Sequence, residues 1–400
     1  MTAAEPEGER EGERGAAREQ LPALAERRTQ LLAWYRRAHR DLPWRRTRDP
    51  YAIWVSEIML QQTRVETVLA YYDRFLARFP DLFALAAAPL DDVLAAWSGL
   101  GYYRRARFLK SAAELLARDA GGRFPRDVAA AVLLPGIGRS TAGAIVSIAY
   151  GTRAAVLDGN VKRVLARLAG LAELDGAPLE KRAWPLAEAL VDCDAPGDVN
   201  QSLMELGATV CLPFAAARCE ECPWRDGCRA RAAGTVESLP QSRPRAALRE
   251  ETWLVAVVRR GSRFLLRRRP PTGLLHDLFE LPAFESGSAA PDEAQCRRLL
   301  ARALAAQFGG APQIGDELLL HRQVISNRRV ALRAFAVTLD TRPRPPARFA
   351  TAAELRELAI TTATRKIVAR LRAEATRTAA LSGPARARTS KRPPPPAAAS

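Results

Sequence analysis

"LPGIGRSTAGAI", residues 134–145, sets a proline and two glycines between two apolar runs. The spacing of apolar residues on either side predicts helices over 127–133 and 140–150, so LPGIG reads as a tight interhelical turn. Gly136 and Gly138 have no Cβ and can expose backbone N–H groups at the foot of the second helix. Such a hairpin is either an ordinary turn or a seat for an anion such as a DNA phosphate.

Around this hairpin, residues 21–235 repeat apolar side chains at helical spacing, as in "LFALAAAPLDDVLAAW" and "KRAWPLAEALVDC", and predict an all-α domain. The stretch 236–250, mostly "SLPQSRPRAALRE", has the composition of a linker. Beyond it "TWLVAVV", "RFLLRR" and "RRVALRAFAVTL" read as strands and "DEAQCRRLLARALAAQF" as a helix, which makes 251–375 an α+β domain. The ends, 1–20 and the basic, proline-rich 376–400, are too polar or too proline-rich to pack and are expected to be disordered.

The chain carries 61 Lys and Arg against 44 Asp and Glu, a net charge of +17 over 400 residues. That excess favours a polyanionic partner. No apolar run approaches the ~20 residues of a membrane span, and the N-terminal segment is too charged for a signal peptide, so no membrane association is expected. Cys211, Cys219, Cys222 and Cys228 crowd into "CLPFAAARCEECPWRDGC". Four thiolates at this spacing can hold zinc or a four-iron four-sulfur cluster, and spacing alone does not choose. Cys193 and Cys296 stand apart and read as buried thiols. His39, His276 and His321 read as surface or packing residues.

About twenty residues past the hairpin comes "VLDGNVKRVLARL" (156–168), with Asp158 at a helix N-cap position. Hairpin and aspartate together resemble the helix-hairpin-helix superfamily of DNA glycosylases. "LPWRRTRDPYAIWVSEIMLQQTRVETV" (42–68) and "WSGLGYYRRARFL" (97–109) resemble, within it, the adenine DNA glycosylases of the MutY type. The resemblance implies a helical glycosylase core with an iron-sulfur cluster loop, followed by a Nudix-like α+β domain, most clearly at "RRPPTGLLHDLFELP" (268–282). It implies removal of adenine paired with 8-oxoguanine or guanine in double-stranded DNA, by a monomer in the bacterial cytoplasm, at the nucleoid.

Breaking a purine N-glycosidic bond needs a proton for the base and a negative charge beside the developing sugar cation. Glu57, next to Trp54, Val55, Ile58 and Met59, is expected in an apolar pocket that favours its protonated form. By resemblance it is the general acid at adenine N7. Asp158, expected to be exposed at a helix start and ionised, matches the catalytic aspartate, and Asn160 a residue that helps hold the sugar-side machinery. Arg40, Trp44, Arg45 and Gln201 match the adenine pocket. Gln61, Gln62 and Tyr103 match the wedge that fills the gap left by an extruded nucleotide. Ser140 stands where the endonuclease III relatives carry a nucleophilic lysine, so the resemblance implies a glycosylase that does not cut the strand.

The same resemblance assigns the four cysteines to a cluster that orders the segment around Arg218 and Arg225 against DNA. The family usually has six residues in the first gap; this sequence has seven, read as a bulge in an exposed loop. The second domain lacks the paired glutamates that hold Mg²⁺ in a Nudix hydrolase and is expected to read 8-oxoguanine. Ser326 keeps the hydroxyl for that task, but Ile325 and Asn327 replace the usual Phe and His. Two other classes share part of this pattern: a bifunctional glycosylase/lyase for oxidised pyrimidines, and a DNA-binding module without catalysis. Ser140 and the second domain argue against the first, and Glu57 with Asp158 against the second.

Overall fold

The computed structural model describes residues 19–241, 247–287 and 291–381. The expectations for residues 1–18 and 382–400 lie outside the described residues. The chain forms two compact units that divide between Ala247 and Leu248, with the short segment Glu357–Ala359 counted in the first.

The first unit is helical. Helix α1 (Leu24–Ala38) is followed by α2 (Pro50–Leu60), which starts where Asp49 accepts hydrogen bonds from the N–H groups of Tyr51 and Ala52 and Pro50 occupies the first turn. Most of α2 is apolar on every side, and Trp54, Val55, Ile58 and Met59 are fully buried, which makes it the central helix of the unit. Helices α3 (Val65–Arg78) and α6 (Arg104–Asp119) pack on it, and α4 (Leu82–Ala87) and α5 (Leu90–Ala96) pack on α6.

The hairpin consists of α7 (Val128–Ala131) and α8 (Arg139–Tyr150). Gly136 has φ +79°, and a Cβ there would lie 2.7 Å from Phe108 Cβ, so the turn needs glycine on both counts. An extended stretch leads to α9 (Gly159–Ala169), which Asp158 caps by accepting from Val161 N–H at 2.8 Å. A Cβ on Gly143 of α8 would fall 2.1 Å from the Ala155 carbonyl oxygen. Only glycine lets α8 press directly on the stretch that carries Asp158. Helices α10 (Ala177–Val191), α11 (Pro196–Thr209) and α12 (Arg229–Ala232) complete the unit.

The expected linker begins later than its composition indicated. Leu239 is buried, its carbonyl accepts from Arg167 Nε at 2.9 Å, and Gln241 bridges to Leu174, so 236–241 belong to the first unit. Residues 242–246 lie outside the described residues, and the first strand starts at Arg249.

The second unit is a mixed sheet with helices. Strand β1 (Arg249–Arg260) pairs antiparallel with β2 (Arg263–Arg268) and parallel with β6 (Arg328–Thr338); β5 (Gln313–Ile325) lies antiparallel beyond β6. The short β3 (Phe279–Glu280), β4 (Ala283–Glu285) and β7 (Arg348–Thr351) extend it. Helix α13 (Glu293–Phe308) buries Cys296, Leu300 and Leu304 against Leu254, Ala256 and Phe335. Helix α14 runs Thr362–Leu381, six residues past the boundary drawn from composition.

Candidate active site

Glu57, Asp158, Asn160, Ser140, Gln61, Arg40, Trp44, Arg45 and Gln201 all line one pocket of about 230 Å³ in the first unit. The apolar walls around Glu57 are not the apolar residues that flank it in the sequence. Trp54, Val55, Ile58 and Met59 face the core, while Trp44, Ile53, Leu60, Val156 and Met204 supply the apolar lining. Burial pushes the Glu57 carboxyl up to about 7; the Asp158 charge adds to this and Arg45 opposes it. At neutral pH Glu57 is therefore protonated in a large share of molecules.

Asp158 is less exposed than its position at a helix start suggested. It is half-buried, and burial raises its pKa from the ordinary aspartate value. The N–H of Val161 and the side-chain and backbone N–H groups of Asn160 act against that rise by stabilising the ionised form. Asn160 Nδ2 donates to Asp158 Oδ2 at 3.1 Å, and Arg163 Nη2 donates to Asn160 Oδ1 at 3.0 Å. Arg163 Nε in turn donates to the Cys211 carbonyl at 2.7 Å, joining this chain to the cysteine loop. Buried Asn200 donates to the Ala154 carbonyl and accepts from Val156 N–H, and the Leu157 N–H donates to Ser140 Oγ at 3.0 Å. Ser140 thus holds the stretch that places Asp158.

Glu205 carries no signal in the sequence, where it sits inside the helical run "NQSLMELG". Its side chain has no exposure and receives Arg40 Nε at 2.9 Å, Arg40 Nη2 at 2.7 Å and Arg45 Nη2 at 2.7 Å. Burial alone would raise its pKa, but these bonds hold it down at about 2. Both arginines are therefore fixed as a cationic edge of the pocket.

The turn after α2 was expected to supply the wedge. Gln61 lines the pocket and its Nε2 lies 3.3 Å from Thr141 Oγ1; Gln62 is exposed, with φ +57°. Tyr103 does not fit the expected role: it is 6% exposed and its hydroxyl lies 3.3 Å from Ser98 Oγ. The exposed ring is that of Tyr102, at 55%, thrown outward by a φ of +48°. Buried Arg105 fastens the two segments together. Its Nη1 donates to the carbonyls of Ile58, Met59 and Gln61 and its Nη2 to those of Leu100 and Gly101.

The four cysteines are half-buried and all free. Burial pushes Cys222 up to about 12, with Cys211, Cys228 and Cys219 each near enough to push the same way. Arg167 Nη1 lies 3.4 Å from Cys211 Sγ, a donor suited to a thiolate or sulfide. This donor set fits a four-thiolate centre, although among the described residues no group of three or more potential ligands has closed around a metal position. The long first gap is an exposed turn, Phe214–Ala216, with Phe214 at φ +54°. Arg218 and Arg225 are not bare cations: Arg218 pairs with Glu221, and Arg225 with Glu220 and Asp226.

Ser326 lies in the second unit, exposed at the tip of the β5–β6 hairpin with φ +56°, and Asn327 is exposed beside it. Ile325 turns inward to a small cavity with Trp253, Val255 and Leu332. Among the described residues no helix is long and apolar enough to cross a membrane.

Residues 55–188 match the family model of the HhH-GPD superfamily base excision DNA repair proteins, and 254–370 that of the NUDIX domain. The chain is 36% identical to the adenine DNA glycosylase of Homo sapiens, over 85% of this chain and 73% of that one. It is 45% identical to the adenine DNA glycosylase of Mycobacterium tuberculosis, over 52% of this chain and 68% of that one. A thermostable thymine-DNA glycosylase of known structure aligns with a TM-score of 0.47 and 32% identity, covering 52% of this chain and 97% of that one.

Proposed function

The chain belongs to the adenine DNA glycosylases of base excision repair, and from that premise we propose that it hydrolyses the N-glycosidic bond of adenine opposite 8-oxoguanine or guanine in duplex DNA and leaves the strand uncut. The observation that carries this reading is the shared pocket of Glu57 and Asp158.

Protonated Glu57 donates to N7 of an extruded adenine. As the C1′–N9 bond breaks, its electron pair leaves with the neutralised base and positive charge collects on the sugar. The Asp158 carboxylate, held by Asn160 and the start of α9, faces that charge until water adds at C1′. Trp44 and Gln201 bound the base, and the Arg40–Glu205–Arg45 group fixes the polar edge against it. Gln61, Gln62 and Tyr102 occupy the space the nucleotide leaves. Gly136 and Gly138 direct the N–H groups of the hairpin to a phosphate.

Ser140 has no amine, so no imine with the sugar can form. Cys211, Cys219, Cys222 and Cys228 hold a four-iron four-sulfur cluster, which when bound fastens their loop into one rigid piece. Iron analysis should give about four irons per chain; a single zinc would contradict this assignment. The protein acts as a cytoplasmic monomer, and Ser326 at the hairpin tip donates to the oxidised guanine.

The function is tested with duplexes carrying adenine opposite 8-oxoguanine, adenine opposite guanine, or thymine glycol, each with and without alkali. Adenine release with strand breaks only after alkali is expected on the first two, and no reaction on the third. Cleavage of the thymine glycol duplex without alkali would instead assign a lyase.

A further inference from the structure

The second unit carries a cationic groove of about 890 Å³ that none of the chemistry above uses. Its walls include Arg267 and Arg268 at the end of β2, Gln307 at the end of α13, and Arg342 and Arg344 in the loop between β6 and β7. Arg267 is committed to Glu280 and Gln307. Arg342 and Arg344 are exposed and pair with no carboxylate among the described residues. The one acidic residue just before them, Asp340, is turned to the Ala311 N–H.

The loop reads "TRPRPPAR" (341–348), with a proline after each of the two arginines and a second after Arg344. Each proline fixes its own φ, so holding the guanidinium groups toward a ligand costs less chain entropy than in a free loop. Arg260 extends the basic surface beyond the groove: it stacks on Phe349 and its Nη2 reaches the Thr341 carbonyl.

We propose that this groove is a second DNA contact, taking backbone phosphates away from the lesion. Its position argues for a duplex over a small anion. Ser326 precedes the first residue of β6 and the groove loop follows its last, so the two are separated by the length of an eleven-residue strand, roughly 33 Å at about 3.3 Å per residue. That is about one turn of B-DNA. A duplex laid along β6 with its oxidised base pair at the hairpin would present phosphates to Arg342 and Arg344 about one turn away. Guanidinium groups give such contacts affinity without sequence preference. The proposal rests on the duplex substrate assigned above, but its readout is binding and not base release.

The test uses the full chain, an R342Q/R344Q variant and an R342K/R344K variant. Each is titrated by fluorescence anisotropy over a series of salt concentrations against mispaired duplexes of about 12 and about 30 bp, the longer adding about one turn on each side. Two lost phosphate contacts should flatten the slope of log K against log salt by about 2 on the long duplex, at about 0.9 per phosphate. The short duplex should show no such change, and the lysine variant should keep the original slope, because a point charge suffices. Equal slopes for the original and glutamine proteins on the long duplex would overturn the proposal. So would a glutamine variant that keeps its DNA slope and loses calorimetric binding of inorganic tripolyphosphate, which would assign the groove to small polyphosphates. Failure of base release leaves this readout intact, so the two readings fail separately.

Discussion

Glu57 and Asp158 face the same pocket, and the charge on Asp158 adds to burial in raising the Glu57 carboxyl to about 7. The two carboxyls are both raised by burial but differ in what they gain from ionising. The N–H groups at the start of α9 and on Asn160 favour ionisation at Asp158, and nothing comparable serves Glu57.

Catalysis should follow this division. Single-turnover adenine release should fall as pH rises through about 7, because the proton donor is lost. Glu57→Gln should abolish that limb and slow release by about 10²–10⁴-fold, while DNA binding persists. Retention of more than about a tenth of the rate would remove Glu57 from the acid role.

Stability should move the opposite way in the same variant. The folded pKa of Glu57 lies above its ordinary 4.5, so the native state holds a proton that the unfolded chain has released. Stability contributed by that proton is present below about pH 4.5 and is lost as pH rises through about 7. Glu57→Gln should therefore be more stable than the original protein at pH 8, by about 1–3 kcal/mol, with little difference at pH 4. Urea unfolding at the two pH values measures this; a variant less stable at pH 8 would contradict it.

Glu205 has the reverse sign. With its pKa held at about 2, its contribution is present above about 4.5 and lost as pH falls through about 2. Glu205→Gln leaves Arg40 and Arg45 against a neutral amide. The cost should be about 2–3 kcal/mol, below the usual range for a broken buried pair because Arg40 keeps contact with water. Urea unfolding at neutral pH checks the figure, and an unchanged midpoint would show that the group carries no net stability.

Tyr102 and Tyr103 should separate cleanly. Tyr102→Ser should weaken nucleotide extrusion, read from 2-aminopurine fluorescence next to the mispair, by about 1–3 kcal/mol, the worth of one stacking contact. Tyr103→Phe should leave extrusion intact and cost about 1 kcal/mol or less of stability through its hydroxyl. Equal effects on extrusion would mean that both rings enter the duplex.

Local chemistry was the part legible in the sequence. An aspartate before "GNVKRVLARL" caps a helix because the N–H groups it satisfies are two or three residues away, and Gly136 of the hairpin is forced by a turn. The walls of the pocket were legible only in part: the resemblance pointed to Trp44, but Val156 and Met204 come from segments that only packing brings together. Asp158 looked exposed for the same reason. Which of two adjacent tyrosines faces solvent depends on one backbone angle, and Glu205 resembles any helical glutamate until Arg40 and Arg45 arrive from the other end of the domain. The linker composition hid Leu239, whose anchor is Arg167, and β5 hid behind register shifts between Ile314 and Leu319 that break its alternation.

On the proposed function, Glu57 and Asp158 release adenine without cutting the strand. One measurement meets it most directly: single-turnover reaction of the original protein with a duplex carrying adenine opposite 8-oxoguanine, run in borohydride, with products resolved before and after alkali. Full adenine release, an intact strand until alkali is added, and no covalent adduct are expected, because Ser140 offers no amine and its hydroxyl is engaged by the Leu157 N–H at 3.0 Å. A trapped protein–DNA adduct, or strand breaks before alkali, would contradict it.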